Sequence, residues 1–309
     1  MTKVACIGEC MIELKQAQGG LFSRGYGGDT LNTSVYLARL GVEVDYITAL
    51  GDDSLSNEMI AGWGAEGVGI SRVARLKGKL PGLYMIQTDD LGDRRFFHWR
   101  ESAAARSLMD LPETSNMLDS LATYDVVYLS AITLSIYSAQ GRAKLINALH
   151  RARKRGARIA FDTNFRARGW PDPEAARAVF DEAFAASDIV LAATEDLLPL
   201  YPDESDAQLL ERIRSDEAVL KLLSPASIVR FDGVSKEVRA EPVTQPVVDT
   251  TAAGDSFAAA YIAARLAGSG PVEAARSGHR LGGVVVGYPG AIIPRSAMPI
   301  NTLPGAASP

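Results

Sequence analysis

Short apolar runs alternate with stretches of helical periodicity along most of this chain, and that alternation narrows the fold more than any other feature. VACIGE (4–9) precedes a helical pattern over 30–40, and VDYITAL (44–50) precedes one over 55–65. The rhythm returns after residue 120. VVYLS (126–130) leads into a helix through 142–154, ARIAFD (157–162) into one over 173–186, and DIVLA (188–192) follows. Strands that are apolar on both faces and separated by helices belong to a mostly parallel sheet covered on both sides, a doubly wound α/β fold. With 309 residues, 47% of them hydrophobic, the chain can bury a large core, enough for one big α/β domain over 1–309 or two smaller ones; a single domain is the expectation.

Two segments break the rhythm, 11–26 and 83–100. GLYMIQTDDLGDRRFFHWR (82–100) reads as a hairpin turning at 89–93. A small sheet assembled from these separated segments is expected to lie over the main sheet as a lid. Its FFHW run is more apolar than a solvated edge strand, which points to lid-to-lid pairing in a homodimer or higher homo-oligomer. The tail after Pro294, rich in Pro, Ala and Ser, is expected to be poorly ordered.

Charge and rare residues exclude several classes. The net charge is −5 and no basic run could follow a nucleic-acid backbone. Two cysteines, Cys6 and Cys10, and three histidines, His98, His150 and His279, do not make a zinc signature or a disulfide framework. No apolar run approaches 18 residues, and the N-terminal segment reaches charge too soon for a signal peptide. A cytoplasmic location with no membrane partner is the expectation. There is no G-x-x-x-x-G-K-[ST] loop, no H-E-x-x-H, no G-x-S-x-G, and no G-x-G-x-x-G after the first strand.

The chemistry concentrates in Asp249-Thr250-Thr251-Ala252-Ala253-Gly254-Asp255-Ser256-Phe257, which runs into the small-residue helix AAAYIAARLA. Small residues ending in Gly254 let the backbone approach a ligand, and the helix that follows aims unpaired N–H groups at it. This is the pattern of an anion hole. Asp255 then reads either as an ordinary helix-capping carboxylate or as a base that accepts a hydroxyl proton during phosphoryl transfer.

The run resembles the C-terminal signature of the ribokinase-like (PfkB-type) carbohydrate kinases, Asp-Thr-x-Gly-Ala-Gly-Asp, with Ala252 in place of the first glycine. Ala is compatible with close approach there if its φ is negative. Gly27-Gly28-Asp29-Thr30-Leu31-Asn32, followed by a helix and Leu40-Gly41, is similar to the family's sugar-binding turn, and Ala49-Leu50-Gly51-Asp52-Asp53 to its second signature. The resemblance covers about residues 3–298. It implies ATP and Mg²⁺ as cofactors, with a monovalent cation as a further candidate. It also implies that Asp255, with Ala252, Ala253 and Gly254, carries catalysis, and that Gly28, Asp29 and Asn32 hold the sugar.

Within the family, GECMIEL (8–14), LPGLY (80–84), FFHWR (96–100), DTNFR (162–166) and GAIIPR (290–295) resemble the members that act on 2-keto-3-deoxygluconate. Such a sugar carries a carboxylate, and arginine's planar fork suits it. Arg100 and Arg166 are the candidates; a solvated lid charge and a structural ion pair are their plainer readings. Tyr84, His98 and Trp99 read either as a lining for the sugar or as packing. For the nucleotide the resemblance implies Asn164, Arg166, Ala252, Gly254 and the segment 221–227, from which Lys221, Leu223, Ser224 and Ala226 are drawn. That segment lacks the glycines relatives carry, so its path is expected to differ. Glu195 is the candidate to orient a metal-bound water, although the family's preceding Asn is Ala192 here; an exposed helix-start Glu is the alternative. Two rival functions remain: a same-fold kinase for fructose, tagatose or a galactonate-derived epimer, and a non-catalytic nucleotide- or sugar-binding regulator.

Overall fold

The computed structural model describes residues 2–88, 94–243 and 245–299; the hairpin turn expected at 89–93 and the tail beyond 299 lie outside them. The strands are β1 (Lys3–Ile7), β2 (Met11–Gln16), β3 (Phe22–Gly27), β4 (Glu43–Gly51), β5 (Val73–Leu76), β6 (Leu83–Thr88) and β7 (Arg94–Trp99). They continue as β8 (Val126–Ser130), β9 (Arg158–Asp162), β10 (Ile189–Ala193), β11 (Glu217–Lys221), β12 (Ala226–Phe231) and β13 (Val234–Arg239). Nine of them form one sheet in the order β13-β12-β11-β10-β9-β8-β1-β4-β5. It is parallel from β5 to β11, and β12 and β13 join antiparallel. The doubly wound, mostly parallel expectation holds.

The sheet is buried on both faces because its central strands carry apolar side chains in both directions. β8 and β10 are buried at every position. On one face Phe161 of β9 meets Phe180 and Phe184 of the helix Pro173–Ala186 edge-on, at centroid separations of 5.8 and 6.0 Å. On the other, Trp63, Tyr36, Tyr46, Tyr128 and Tyr261 are fully buried. Burying each such ring contributes about 1.5–3 kcal/mol, so these two clusters fix which helices cover which face. Among the described residues, no helix is long and apolar enough to cross a membrane.

The segments 11–26 and 83–100 meet in a separate four-stranded sheet, order β3-β2-β6-β7. Ile12–Lys15 of β2 pair with Leu83–Ile86 of β6 in parallel, and each outer strand adds antiparallel. Among the contacts that hold this sheet against the rest of the domain, Arg168 Nη1 donates to the Phe96 carbonyl (3.0 Å), Lys15 Nζ lies 3.9 Å from Asp249 Oδ2, and Arg100, just past β7, pairs with Glu9. Past Pro294 the expected disorder does not begin at once. Arg295–Ala297 form a 3₁₀ turn pinned by Arg295 to Glu66 at 3.0 Å.

The sequence pattern did not foresee β5 or the antiparallel run of β11, β12 and β13. Segment 221–227 is not a free loop: Lys221 ends β11, Ala226 and Ser227 begin β12, and only 222–225 turn between them.

Candidate active site

Strands β1, β8, β9, β10 and β11 all end on one edge, where a doubly wound sheet leaves a crevice. The helix Ala253–Leu266 begins at that crevice, with Asp255 in its first turn. Asp255 Oδ2 accepts a hydrogen bond from Asn32 Nδ2 (2.8 Å), and its carbonyl accepts one from Thr33 Oγ1 (3.2 Å). Both partners sit on the helix Asp29–Arg39, so the glycine-rich turn and the DTTAAGD run, 223 residues apart in sequence, form one site. Burial and then the charge of Asp29 push the Asp255 carboxyl up to about 8, against the Asn32 hydrogen bond and the Lys221 ammonium. A carboxyl titrating near neutrality and held by a directed donor is poised to accept a proton.

The turn before that helix departs from expectation. Ala252 has φ 60°, ψ 15°, in the left-handed region and not at negative φ. That conformation costs an alanine about 1–2 kcal/mol and persists only where its surroundings enforce it. Here Asp249 braces the turn: its carboxylate accepts from Thr251 N (3.0 Å), Thr251 Oγ1 (2.6 Å) and Gly290 N (3.0 Å). Ala253 N is engaged by the Thr250 carbonyl (3.2 Å), and the first full helical bond is Ser256 N to Ala252 O (2.9 Å). The amides of Gly254 and Asp255 therefore fall where a helix has no carbonyl of its own to offer. A Cβ added to Gly254 would meet only Lys221 Nζ, at 3.5 Å, so the glycine opens the helix end toward a cation.

On the side of β9 to β11 the charges interlock. Lys221 Nζ lies 3.3 Å from Asp162 Oδ2. Burial lowers the Lys221 ammonium, but Asp162 and Asp196 outweigh it and the pKa is raised. Asp196 accepts from Thr163 Oγ1 (2.9 Å) and Phe165 N (3.0 Å), and burial with the nearby Asp162 pushes it up to about 6. Asn164 N donates to Asp162 Oδ1 (3.1 Å) while Asn164 Nδ2 donates to Asp29 Oδ2 (2.8 Å), bridging β9 to the glycine-rich turn. Burial also raises the pKa of Asp29. Gly28 packs tightly beneath: a Cβ there would stand 2.2 Å from the Glu9 carbonyl.

Other expected residues divide. Arg166 donates to Asp196 Oδ1 (3.3 Å) and the Phe165 carbonyl (2.7 Å), yet its side chain stays 61% exposed at the crevice. Glu195 is exposed, and among the described residues it makes no hydrogen bond or ion pair; its neighbour Asp196 turns inward instead. Leu223 and Ser224 are exposed at the β11–β12 turn, while Ala226 is buried in β12. Tyr84 and His98 are cross-strand partners with rings stacked at 6.0 Å, and Tyr84 Oη donates to Glu13 Oε2 (2.6 Å). Trp99 alternates to the opposite face of β7 and stands 55% exposed there, away from that pair. Arg100 is neither solvated nor free: Arg100 Nη2 pairs with Glu9 Oε2. Asp162, Asp196 and Glu9 are not among the candidates drawn from the sequence, although Asp162 and Glu9 sit inside DTNFR and GECMIEL. Asp162 and Asp196 had a signal, a carboxylate at or just past the end of a buried strand.

A braced helix start, a directed carboxylate and a lysine stand together at the carboxyl edge of a parallel sheet, a set of groups suited to a phosphate-bearing ligand, and a second, four-stranded sheet accompanies them. The chain belongs to the pfkB family of carbohydrate kinases, whose model matches residues 1–298. It is 42% identical over 305 residues to a 2-dehydro-3-deoxygluconokinase of Dickeya dadantii, covering 96% of this chain and 98% of the relative. It is 40% identical over 306 residues to the enzyme of the same name from Escherichia coli, covering 96% and 99%. Its fold is similar to that of an ATP-bound fructokinase from Xylella fastidiosa, with TM-score 0.81, 22% identity, and coverage of 96% and 95%.

Proposed function

We propose that this chain is an ATP-dependent kinase that phosphorylates the C6 hydroxyl of 2-keto-3-deoxy-D-gluconate, giving 2-keto-3-deoxy-6-phosphogluconate. The observation that carries the reading is end-to-end likeness to 2-dehydro-3-deoxygluconokinases at 40% identity and above, whereas the fructokinase shares the fold at 22%. Asp255 accepts the C6 hydroxyl proton as the oxygen attacks the γ-phosphorus in line. The amides at the start of the helix Ala253–Leu266, chiefly those of Gly254 and Asp255, take up the developing charge. Gly28, Asp29 and Asn32 seat the sugar against the base, Tyr84 and His98 cover it from the small sheet, and Arg100 and Arg166 meet its carboxylate. Asn164, Arg166 and Lys221 face the phosphates.

Among the described residues no three acidic, His or Cys side chains converge to cage a metal. Asp162 and Asp196 beside Lys221 suit a Mg²⁺ held mainly by nucleotide phosphates, with Glu195 acting through water. When bound, that ion neutralises charge on the β- and γ-phosphates. A monovalent-cation activator, a cytoplasmic location and a dimer formed through the small sheets complete the proposal. Coupled ADP release over a sugar panel tests it. A second reading, a non-catalytic regulator, rests on Ala192 and the glycine-free turn at 222–225; calorimetric binding of sugar and ATP without ADP release would favour it.

A further inference from the structure

Glu9 follows β1 and is 2% exposed, an unusual place for a carboxylate outside the catalytic cluster. Its Oε2 pairs with Arg100 Nη2, while Glu9 Oε1 and Arg100 Nε are each buried without a partner. Gly82 makes room for the pair: a Cβ there would lie 2.9 Å from Glu9 Oε1 and 3.2 Å from Arg100 Cβ. Arg100 comes directly after β7, so the pair joins the end of the small sheet to the first strand of the large one. A buried ion pair is on average no more stabilising than apolar residues of the same size. Stability therefore does not explain this one.

We propose that Glu9 is a positioning residue that holds the guanidinium of Arg100 in place for the carboxylate of the acid sugar. Glu9 takes one nitrogen of the fork through one oxygen and leaves the rest of a five-donor group. An unrestrained arginine loses its rotamer freedom only when ligand arrives, which weakens binding; a guanidinium already fixed by a buried partner does not. Burial raises the Glu9 pKa, and Arg100 and then Arg106 oppose that rise, so Arg100 is the group that does most to keep the buried carboxylate ionised. Glu9 acts only through Arg100 and touches no substrate.

This inference rests on the acid-sugar reading, which turnover of 2-keto-3-deoxy-D-gluconate by the wild-type protein tests separately. The test of Glu9 is a double-mutant cycle of Glu9→Gln and Arg100→Ala, read as KM for the acid sugar, KM for ATP and kcat. Glu9→Gln is expected to raise the sugar KM about 10- to 30-fold, the scale of one long side chain's rotamer entropy, with the KM for ATP unchanged. In the Arg100→Ala background the same change should add nothing, and affinity for the C1 carboxamide of the sugar should be unaltered by Glu9→Gln. If Glu9→Gln folds poorly, Glu9→Asp serves in its place and should give a smaller rise confined to the sugar KM. An unchanged or lowered sugar KM, an equal loss with the carboxamide, or a loss that persists without Arg100 would overturn the proposal.

Discussion

Along the carboxyl edge of the nine-stranded sheet, Asp29, Asp162, Asp196 and Lys221 are drawn out of water around Asp255, whereas the four-stranded sheet and its connections leave Leu21, Phe22, Phe97 and Trp99 between 40% and 70% exposed. One region stores unfavourable charge and the other unfavourable apolar surface. Neither arrangement is what folding alone selects. The buried charges raise the Asp255 pKa into the range of a base, and the small sheet keeps several large apolar side chains in contact with water. What differs is the kind of surface each region presents: carboxylates and a lysine withdrawn from water in the first, apolar side chains left in water in the second.

The largest expected effect comes from breaking the charged side. Asp255→Asn should lower kcat by at least about 10³-fold with little change in ATP affinity, since general-base and positioning effects are worth 10²–10⁴. It should also raise Tm at neutral pH. With the folded-state value near 8, the native protein holds a proton at Asp255 that the unfolded chain releases at about 4, so its contribution to stability declines as pH rises through that window. Wild-type turnover in this variant would remove Asp255 from the mechanism.

Next in size are the arginines. Arg100→Ala and Arg166→Ala should each weaken acid-sugar binding by about 1.5–3 kcal/mol, a lost charge-assisted hydrogen bond, and Arg166→Ala should lower kcat as well. If steady-state kinetics find the acid-sugar KM unchanged in both, the carboxylate is held elsewhere. On the apolar side, Phe97→Glu should shift light scattering from dimer toward monomer by placing charge on the outer face of β7; a wild-type protein that is monomeric at micromolar concentration would show that this face serves no such contact. The smallest effect is electrostatic tuning. The acid limb of kcat/KM should centre near pH 8, and Asp29→Asn should move it to lower pH by removing a like charge beside Asp255. A limb that stays in place would break the link between the two carboxylates.

How much of this was legible in the sequence follows from how local each signal is. The central strands and the helix Pro173–Ala186 are apolar runs with clear ends, and their bounds were readable to within a few residues. The site residues Asn32, Asp255 and Gly254 lie in compact motifs. β12 and β13 were not legible because their pattern is mixed: β13 is exposed at all but one position. The left-handed φ of Ala252 was hidden for a different reason, since alanine rarely adopts it and only the Asp249 braces from Thr251 and Gly290 reveal why it does here. The pairing of Glu9 with Arg100, 91 residues away, has no local signature at all.

The most direct test is the ratio of kcat/KM values for ADP release with 2-keto-3-deoxy-D-gluconate against fructose, tagatose and the galactonate-derived epimer. The acid sugar is expected to exceed the two neutral ketohexoses by about 10- to 150-fold, the factor that one charge-assisted contact supplies. A neutral ketohexose turned over as well as the acid, or no ADP release with any of the four, would contradict this expectation.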